Sequence, residues 1–488
     1  MRFISTRGGA ATDAASAICR GLAPDGGLYV PETLPRMPDA LLSPMPYAER
    51  AARVLELFFE DLGEPDSITR EAYARFDDPS DPAPLIAEPD GEYTLELFHG
   101  PTRAFKDMAL QILPGLMTRA RRVQNGGSKV CILTATSGDT GTAALEGFSG
   151  REGTFAIVFY PKDGTSRIQE LQMVTQEGRN VGVCAVEGNF DDAQTGVKKL
   201  FADPDFRAEL AKSGYDALSA ANSINIGRLT PQIAYYVHAY AEMVRRGAVK
   251  AGSPIHFRVP TGNFGSILAG LYAWKMGLPV ARLICASNRN RVLTDVLTTG
   301  QYSLDRKFYL TPSPSMDVLI STHFERAIHL LSGNDSELTR NSMENLRDNQ
   351  SFSLPDSVMS TFREHFSAYT CDDEETVAEI AASWKSAHRL FDPHTAVARK
   401  CLRDYRRESG DRRPTVMLST ADPFKFPETV LRALGQDPVS GPDSLNALSK
   451  AAGQPVPERL RRILDLPVRF TNVVKPGAMR EAVLEFIM

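Results

Sequence analysis

Short apolar runs of strand length alternate with helix-like segments from about residue 93 onward, and this alternation limits the possible folds most. In the first block, three runs are each followed by a predicted helix start: residues 130–134 by Gly141, residues 155–160 by Ser166, and residues 181–186 by Asp191. Such alternation implies parallel βαβ units, with ligand-binding loops at the carboxyl ends of the strands. The chain is therefore predicted to have an α/β fold.

A second alternating block follows. A long helix is predicted over residues 229–244, with Pro231 in its first turn, where a missing N–H group is tolerated. Strand-like runs come after it at residues 255–259, 282–287 and 415–418. We expect two open α/β domains with mainly parallel sheets, plus an N-terminal region, and a ligand cleft between the two domains. The predicted boundaries are 1–92 for the N-terminal region, 93–225 for the first α/β domain and 226–488 for the larger second one.

Length and composition exclude several classes of protein. The 488 residues suffice for two or three domains with substantial cores, and a net charge of -5 without a dense Lys/Arg block argues against nucleic acid as a partner. The six cysteines form no C-x-x-C pair, which predicts buried thiols in a reducing compartment, and the eight histidines show no metal-ligand spacing. We see neither a signal-peptide core nor an uncharged stretch of transmembrane length. The expectation is a cytoplasmic protein with no metal site and no membrane partner.

Residues 97–107 place Lys106 in a compact, largely apolar turn. A lysine becomes a nucleophile when desolvation or a nearby positive charge lowers its pKa, and an aldehyde cofactor such as pyridoxal 5'-phosphate (PLP) then captures it as an imine. Most lysines are solvated surface groups, so Lys106 alone proves little. If Lys106 binds PLP, the chain must also contain a site for the phosphate of that cofactor.

Two loops supply candidate anion sites. In residues 136–141, backbone N–H groups at a predicted helix start and the hydroxyls of Ser137 and Thr140 can bind a carboxylate, although an ordinary N-cap cluster would have the same composition. In residues 260–266, glycines flanking Asn263 let the backbone fold closely around a phosphate before an apolar helix. This second loop is neither a Walker A motif nor a G-x-G-x-x-G fingerprint, and a plain glycine turn is the alternative.

Together these segments resemble the fold type II PLP enzymes, which are tryptophan synthase β-like, and within them the threonine synthase family. The resemblance extends over nearly the whole chain. Besides the lysine segment and the two loops, it rests on residues 21–31, 159–162, 169–173, 222–225, 313–317 and 419–421.

The resemblance implies that O-phospho-L-homoserine and water are converted to L-threonine and phosphate, the last step of threonine biosynthesis. It implies PLP as the cofactor, joined to Lys106, and Lys106 as the base that removes protons from the substrate's Cα and Cβ. It also implies that the cofactor phosphate is held by Gly262, Asn263, Phe264, Gly265 and Ser266, and that the hydroxyl of Thr420 faces the pyridine nitrogen.

The residues that would bind the substrate differ more in chemical type than those that would bind the cofactor. Ser137, Gly138, Asp139 and Thr140 match the family's loop for the substrate carboxylate. Asp139 is the odd member, because a free carboxylate would repel that anion; bracing of the loop or contact with the substrate amine suits it better. For the substrate phosphate, the candidate ligands are Lys162, Arg228 and Lys425, together with Asn225 near the same predicted helix start as Arg228.

Several alternatives stay open. Each candidate phosphate ligand has an ordinary surface charge as its alternative interpretation. The family commonly has His where this chain has Asp422, which weakens the assignment of Lys425. A serine or threonine dehydratase or a β-replacing synthase is the closest competing enzyme, and a PLP-binding sensor or a scaffold is a more distant one. A monomer and a homodimer are equally compatible with the sequence.

Overall fold

The computed structural model describes residues 1–88, 91–124, 129–222 and 224–487. Its strands, in chain order, are β1 (Arg2–Ser5), β2 (Thr12–Asp13), β3 (Tyr29–Pro31), β4 (Leu85–Ala87), β5 (Tyr93–Glu96), β6 (Val130–Ala135), β7 (Thr154–Pro161), β8 (Val181–Val186), β9 (Ala217–Ala220), β10 (Ile255–Pro260), β11 (Val280–Ser287), β12 (Gln301–Ser303), β13 (Ser351–Ser353), β14 (Phe366–Thr370), β15 (Thr415–Ser419) and β16 (Val473–Val474).

The helices, in chain order, are α1 (Ala14–Arg20), α2 (Tyr47–Phe59), α3 (Pro65–Tyr73), α4 (Asp107–Leu110), α5 (Leu113–Val123), α6 (Asp139–Phe148), α7 (Arg167–Val174), α8 (Phe190–Ala202), α9 (Pro204–Lys212), α10 (Ile226–Leu229), α11 (Ile233–Arg245), α12 (Gly265–Lys275), α13 (Val292–Thr299), α14 (Phe324–Leu331), α15 (Ser336–Asn349), α16 (Asp356–His365), α17 (Asp373–Ala387), α18 (Pro393–Ser409), α19 (Pro427–Ala433), α20 (Asp443–Ala452), α21 (Glu458–Arg462) and α22 (Met479–Ile487). Short 3-10 turns lie at Asp39–Leu42, Glu60–Leu62, Thr230–Gln232, Pro314–Met316, Pro423–Lys425 and Pro476–Ala478.

Two mainly parallel sheets form the framework of the molecule. The larger sheet has the strand order β14-β11-β10-β15-β5-β4, and only its β4–β5 pair is antiparallel. The smaller sheet has the order β16-β8-β7-β6-β9 with every described pair parallel. Strands β6, β7, β8 and β10 are buried along their whole length, which explains why they are continuous apolar runs without alternation. The structure thus has the two open α/β units that the sequence predicts.

Strand pairing crosses the predicted division of the chain at two places. Strand β5 begins at residue 93, where the first domain was expected to start, yet it pairs with β15 in the larger sheet. Strand β16, near the C-terminus, pairs with β8 in the smaller sheet. The chain passes between the two sheets more often than the order of its segments indicates, because backbone pairing depends on distant partners. The boundaries at 93 and 226 remain predictions.

The helix predicted over residues 229–244 is divided in the structure. Helix α10 ends at Leu229, a 3-10 turn follows at Thr230–Gln232, and α11 begins only at Ile233. Pro231 lies in that turn because it has no N–H group to donate within a regular helix. The acidic residues after Cys371 open α17, whose first turn is closed by reciprocal hydrogen bonds between Asp372 and Glu375.

The N-terminal region packs against both α/β units: α1 contacts β9 of the smaller sheet, and residues before β2 contact α14. Its strands form an antiparallel sheet in the order β2-β1-β3. Arg7 donates two hydrogen bonds to Glu325 at 2.9 and 2.8 Å, and Thr6 donates a third at 2.6 Å. These bonds attach the start of the chain to α14, which packs against α12.

Other expectations concern the chain as a whole. All six cysteines are buried and free, as predicted. Within the described ranges, no helix is both long enough and apolar enough to span a membrane, and no cluster of His, Cys, Asp or Glu side chains suits a metal ion.

Candidate active site

A cavity of about 100 Å³ lies where loops from both sheets meet. Lys106 reaches it from the segment before α4, and the loops after β6 and β10 form its walls. From the predicted site, the lining includes Lys106, Ser137, Asp139, Thr140, Arg228, Gly262, Asn263, Phe264, Gly265, Ser266 and Thr420. Residues separated by more than 300 positions in the chain thus meet at one point, as expected for the carboxyl ends of parallel strands.

The backbone around Lys106 is held by pairing with residues 420–422. Phe105 N donates to Thr420 O at 2.8 Å, and Ala104 forms an isolated antiparallel bridge with Ala421. Arg103 has a left-handed φ of 61°, and its side chain donates to Asp422 Oδ2 at 2.9 and 2.6 Å. The aspartate at position 422 therefore holds the lysine turn in this chain and does not line the cavity.

The amine of Lys106 is buried among charged groups. Its Nζ lies 3.3 Å from Ser315 Oγ and 3.9 Å from Asp139 Oδ2. Burial lowers the pKa of Lys106 to about 8; the Asp139 charge opposes this shift, while Arg228 and Lys425 add to it. A lysine with this pKa has a substantial unprotonated fraction near neutral pH, as a nucleophile and base requires.

Asp139 carries a compensated charge. Lys425 Nζ lies 2.6 Å from its Oδ1, Gln169 Nε2 donates to the same oxygen at 2.7 Å, and Ser315 Oγ donates to Oδ2 at 3.0 Å. Burial alone would raise the pKa of Asp139, but Lys425 and Lys106 outweigh burial and hold the pKa well below its usual range. The structure thus agrees with a bracing role for Asp139.

Lys425 and Lys162, two candidate ligands for the substrate phosphate, do not line this cavity. The Lys425 side chain is fully buried, and its Nζ donates to Thr102 O at 2.8 Å in addition to its pairing with Asp139. Lys162 is exposed and lines a separate cavity of about 510 Å³, which shares Ser137 and Phe190 with the first. Two of the three predicted cations therefore lie outside the lining of the cavity that contains Lys106.

Arg228 is the predicted cation that the fold brings to the cavity wall. It is 7% exposed, and it donates to Ala221 O at 2.8 Å and to Thr140 Oγ1 at 3.2 Å. Within the described ranges no carboxylate forms an ion pair with it, and burial lowers its pKa to about 10, which still leaves it charged. A buried cation paired only with neutral oxygens is a suitable partner for an anionic ligand.

Asn225 does not contact the cavity. Its Nδ2 donates to Ile18 O at 2.9 Å, and its Oδ1 accepts from Gly227 N at 2.9 Å as the N-cap of α10. Both ends of the amide are therefore used in structural bonds. Asn222 lines the cavity instead, and its amide pairs with the backbone of Ala135 in both directions. Ser223, from the same predicted stretch, lies outside the described residues.

The loop after β6 is braced from inside. Thr136 Oγ1 accepts from Gly138 N and Gly141 N, both at 2.9 Å, so it closes the turn that presents Ser137 and Thr140. Gly138 has a φ of 139°, and a Cβ there would lie 2.5 to 2.7 Å from the Gln169 amide. Only glycine can both adopt this φ and leave room for the Gln169 amide. Ser137 and Thr140 line the cavity from this loop.

The loop after β10 fits a phosphate. Phe264 adopts a left-handed φ of 63° just before α12 begins at Gly265, so the first N–H groups of that helix lie at the cavity edge. A Cβ on Gly262 would lie 2.8 Å from Ser315 O, which excludes a side chain there. Asn263 Oδ1 accepts from Thr322 N at 2.6 Å and holds the turn. A glycine-lined cradle at a helix N-terminus suits the phosphate group of PLP.

The cavity lining also contains polar residues to which the sequence analysis gave no role, among them Ser315, His323 and His394. His394 Nε2 accepts from Ser315 N at 3.2 Å, and its Nδ1 lies 2.7 Å from Asp392 Oδ1. Residues 313–317 were noted for their resemblance, but no chemistry was attached to them. The two histidines belong to no recognised motif. Each has one partner nearby in the chain, Arg326 or Asp392, but their contacts with the cavity, to Gly265 and Ser315, come from distant segments.

Comparisons with known proteins define the class. The family model described as "Pyridoxal-phosphate dependent enzyme" matches residues 93–421. The chain is therefore a fold type II PLP enzyme, and both the predicted fold class and the predicted cofactor are confirmed.

Two further family models identify the branch within this class. "Threonine synthase N terminus" matches residues 2–73, and "Threonine synthase, C-terminal" matches residues 395–487. Threonine synthase of Pseudomonas aeruginosa is 40% identical to this chain over 449 residues, which are 90% of this chain and 92% of that protein. The chain belongs to the threonine synthase family, as its sequence indicated.

Other similar proteins agree with this membership. The crystal structure of PLP-bound threonine synthase from Brucella melitensis has a TM-score of 0.86 at 35% identity and covers 100% of this chain and 99% of that one. The yeast threonine synthase structure has the same TM-score of 0.86 at 31% identity, with 100% and 98% covered. Human threonine synthase-like 1 is 37% identical over 86% of this chain, and the chain spans 57% of the length of that relative.

Proposed function

We propose that this enzyme converts O-phospho-L-homoserine and water to L-threonine and phosphate. The observation that carries the proposal is the position of Arg228, a buried cation on the wall of the cavity that contains Lys106. A substrate with a phosphate on its γ-carbon provides the anion that such a cation needs. The names of the relatives support the same reaction.

The residues that would hold the cofactor come from both α/β units. The N–H groups at the start of α12 and the loop Gly262, Asn263, Phe264, Gly265 and Ser266 would bind the phosphate of PLP, Lys106 would bind its aldehyde carbon, and Thr420 would face its pyridine nitrogen. The chemistry that PLP supplies when bound is an electron sink next to the substrate's Cα.

Lys106 moves the protons in this proposal. Its amine takes the proton from Cα and then the proton from Cβ, after which the γ-phosphate leaves as phosphate. Cγ takes up a proton and becomes the methyl group. Water then adds its hydroxyl at Cβ and gives up its other proton to balance the released phosphate, and a proton returns to Cα to give threonine. The pKa of about 8 allows Lys106 to act as both base and acid near neutral pH. Ser315 Oγ, at 3.3 Å, orients the amine between these steps.

The substrate carboxylate is assigned to the loop after β6. Ser137 and Thr140 would donate from their hydroxyls, and the N–H groups at the start of α6 point into the same region. Lys425 cancels the charge of Asp139, so that carboxylate does not repel the substrate. The paired Asp139 then serves to hold the loop and Ser315 in place.

Arg228 would bind the substrate phosphate, with Asn222 beside it in the lining. Its bond to Thr140 Oγ1 links this site to the carboxylate loop, so both ends of the substrate are held from connected residues. Binding at both ends would fix the Cβ proton near Lys106. A serine dehydratase has no need for such a buried cation.

Release of phosphate tests the proposal. The purified protein with PLP should release phosphate from O-phospho-L-homoserine and form threonine in equal amounts. Homoserine, which lacks the phosphate as both anchor and leaving group, should react very poorly, and serine should be a weak substrate. A preference for serine, or threonine formation that does not depend on the phosphate, would contradict the proposal.

Two further assignments belong to the proposal. The cytoplasm is the proposed location, because six free, buried thiols are typical of a reducing compartment. The proposed assembly is a monomer or a homodimer.

A further inference from the structure

His323 lies directly beside the glycine loop after β10. It precedes α14, its side chain is 1% exposed, and it lines the cavity that contains Lys106. Its backbone N donates to Asn263 O at 3.3 Å. A Cβ at Gly265 would lie 3.0 Å from Nε2 and Cδ2 of His323, so the imidazole edge packs directly on that glycine. The ring is thus a neighbour of the first residue of α12.

The tautomer of His323 follows from its partner. Arg326 NH1 lies 3.0 Å from His323 Nδ1. A guanidinium group can only donate hydrogen bonds, so Nδ1 is the acceptor and carries no hydrogen. The neutral ring must then carry its hydrogen on Nε2. Arg326 is itself held in place, because it donates to Tyr29 O at 3.0 Å and to Ile224 O at 2.8 Å.

The charge state of the ring agrees with this tautomer. Burial lowers the pKa of His323 well below its usual value, and the positive charges of Arg326 and Arg228 lower it further. The ring is therefore neutral across the physiological pH range. It is a donor at Nε2 that needs no protonation.

The Nε2–H group has no hydrogen-bond partner among the described residues. The ring lies in the cavity lining and is otherwise buried, so a donor there without a protein partner indicates a bond that forms when the ligand is present. The nearest feature able to hold an acceptor is the cradle formed by residues 262–266 at the start of α12.

We propose that Nε2–H of His323 donates a hydrogen bond to the phosphate of PLP in the loop of residues 262–266. This assignment adds a side-chain donor to a site otherwise made of backbone N–H groups. It also gives a reason for glycine at position 265, since a larger residue would displace the imidazole from the cradle. Arg326 acts as the positioning residue that fixes which nitrogen donates.

The test compares two ligands that differ only in the phosphate. Dissociation constants of PLP and of pyridoxal are measured by absorbance titration of the cofactor-free protein, without any turnover. For His323→Leu we expect the PLP affinity to fall by about 10- to 100-fold, the range for losing a hydrogen bond to a charged group. The affinity for pyridoxal should stay within about twofold, because pyridoxal has no phosphate to contact.

Two matched variants separate a lost bond from a damaged fold. His323→Gln places an amide N–H near the position of the imidazole Nε2 and should recover most of the PLP affinity. His329→Leu makes the same substitution at a second buried histidine, which lies within α14 and outside the cavity lining. This variant should leave the PLP affinity unchanged. Thermal unfolding of each variant shows whether the fold is retained.

The same titrations distinguish the two possible phosphate groups. If His323 instead serves the substrate phosphate, His323→Leu will raise the KM for O-phospho-L-homoserine while the PLP dissociation constant stays unchanged, and the proposal is wrong. Equal losses of affinity for PLP and for pyridoxal in His323→Leu would also contradict the proposal. The proposal depends on the cofactor, so it survives if the enzyme prefers a different substrate.

Discussion

Lys425 Nζ lies 2.6 Å from Asp139 Oδ1, and both side chains are shielded from solvent. Asp139 lies in the first turn of α6, whereas Lys425 lies in the 3-10 turn Pro423–Lys425, much later in the chain. Lys425 also donates to Thr102 O in the turn that carries Lys106. One buried ion pair therefore connects the loop after β6 with the turn that carries Lys106.

Removal of one partner of this pair should be costly. We predict that Lys425→Met destabilises the protein by about 3 kcal/mol, because Asp139 is left as an uncompensated buried charge. The double variant Lys425→Met/Asp139→Asn should recover at least half of that loss, as measured by urea unfolding. Lys162→Met, at an exposed lysine, is the control and should have little effect. If the double variant is no more stable than Lys425→Met, the two charges are not coupled.

Lys106→Ala should abolish turnover, because no other amine of the described residues lines the cavity next to the cofactor loop. Some PLP should remain bound through residues 262–266, but its absorbance should become that of the unattached aldehyde. Absorbance spectra and phosphate release measure the two effects. Near-normal activity in this variant would end the assignment of Lys106.

Arg228→Ala should lower kcat/KM for O-phospho-L-homoserine by about 2 to 4 kcal/mol, the range for losing one partner of a desolvated charge pair. The loss should appear in kcat as well as in KM, since phosphate binding also orients the Cβ proton. Arg228→Lys keeps the charge without the guanidinium geometry and should be intermediate. Steady-state kinetics with serine is the control. Equal losses for serine would assign Arg228 to the fold or the cofactor site.

Gly262→Ala should lower PLP affinity by at least about tenfold, or about 1.4 kcal/mol. The new Cβ would lie 2.8 Å from Ser315 O and 2.9 Å from Met316 Cα, and both are backbone atoms that cannot move away independently. Gly477→Ala is the matched control, because no atom lies within 4 Å of a Cβ there. Titration of the cofactor-free variants measures the difference. Equal PLP affinities in both variants would place the phosphate elsewhere.

His99 should make stability depend on pH. Burial alone would lower its pKa, but hydrogen bonds to Asp77 and Glu96 outweigh burial and raise the pKa to about 9. The unfolded chain releases this proton near its ordinary pKa of about 6.5, so the stabilisation is complete below that pH and is lost as pH rises towards 9.

Urea unfolding near pH 6 and pH 9 measures this contribution, which we expect to be on the order of 2 to 3 kcal/mol. In His99→Gln, the part of the pH dependence that comes from this histidine should disappear. A pH dependence that is the same in both proteins would show that other groups cause it.

The sequence by itself determined those features that depend on local patterns. Continuous apolar runs followed by helix starts indicated two parallel-sheet units, because strands buried on both faces need no polar alternation. The loops at residues 136–141 and 260–266 were recognisable because their glycines and hydroxyls must be close in the chain to form an anion cradle. The segment around Lys106 indicated the cofactor in the same way.

Only the tertiary structure decided which distant residues meet. Asn225, Lys162 and Lys425 look like ligands in the sequence, yet Asn225 caps a helix, Lys162 is exposed and Lys425 neutralises Asp139. His323 has no local motif, and its proposed role depends on its contact with Gly265, which lies 58 positions earlier at the start of α12. The physical reason is that charge, burial and tautomer are set by neighbours in space, and strand pairing brings those neighbours together from segments hundreds of residues apart.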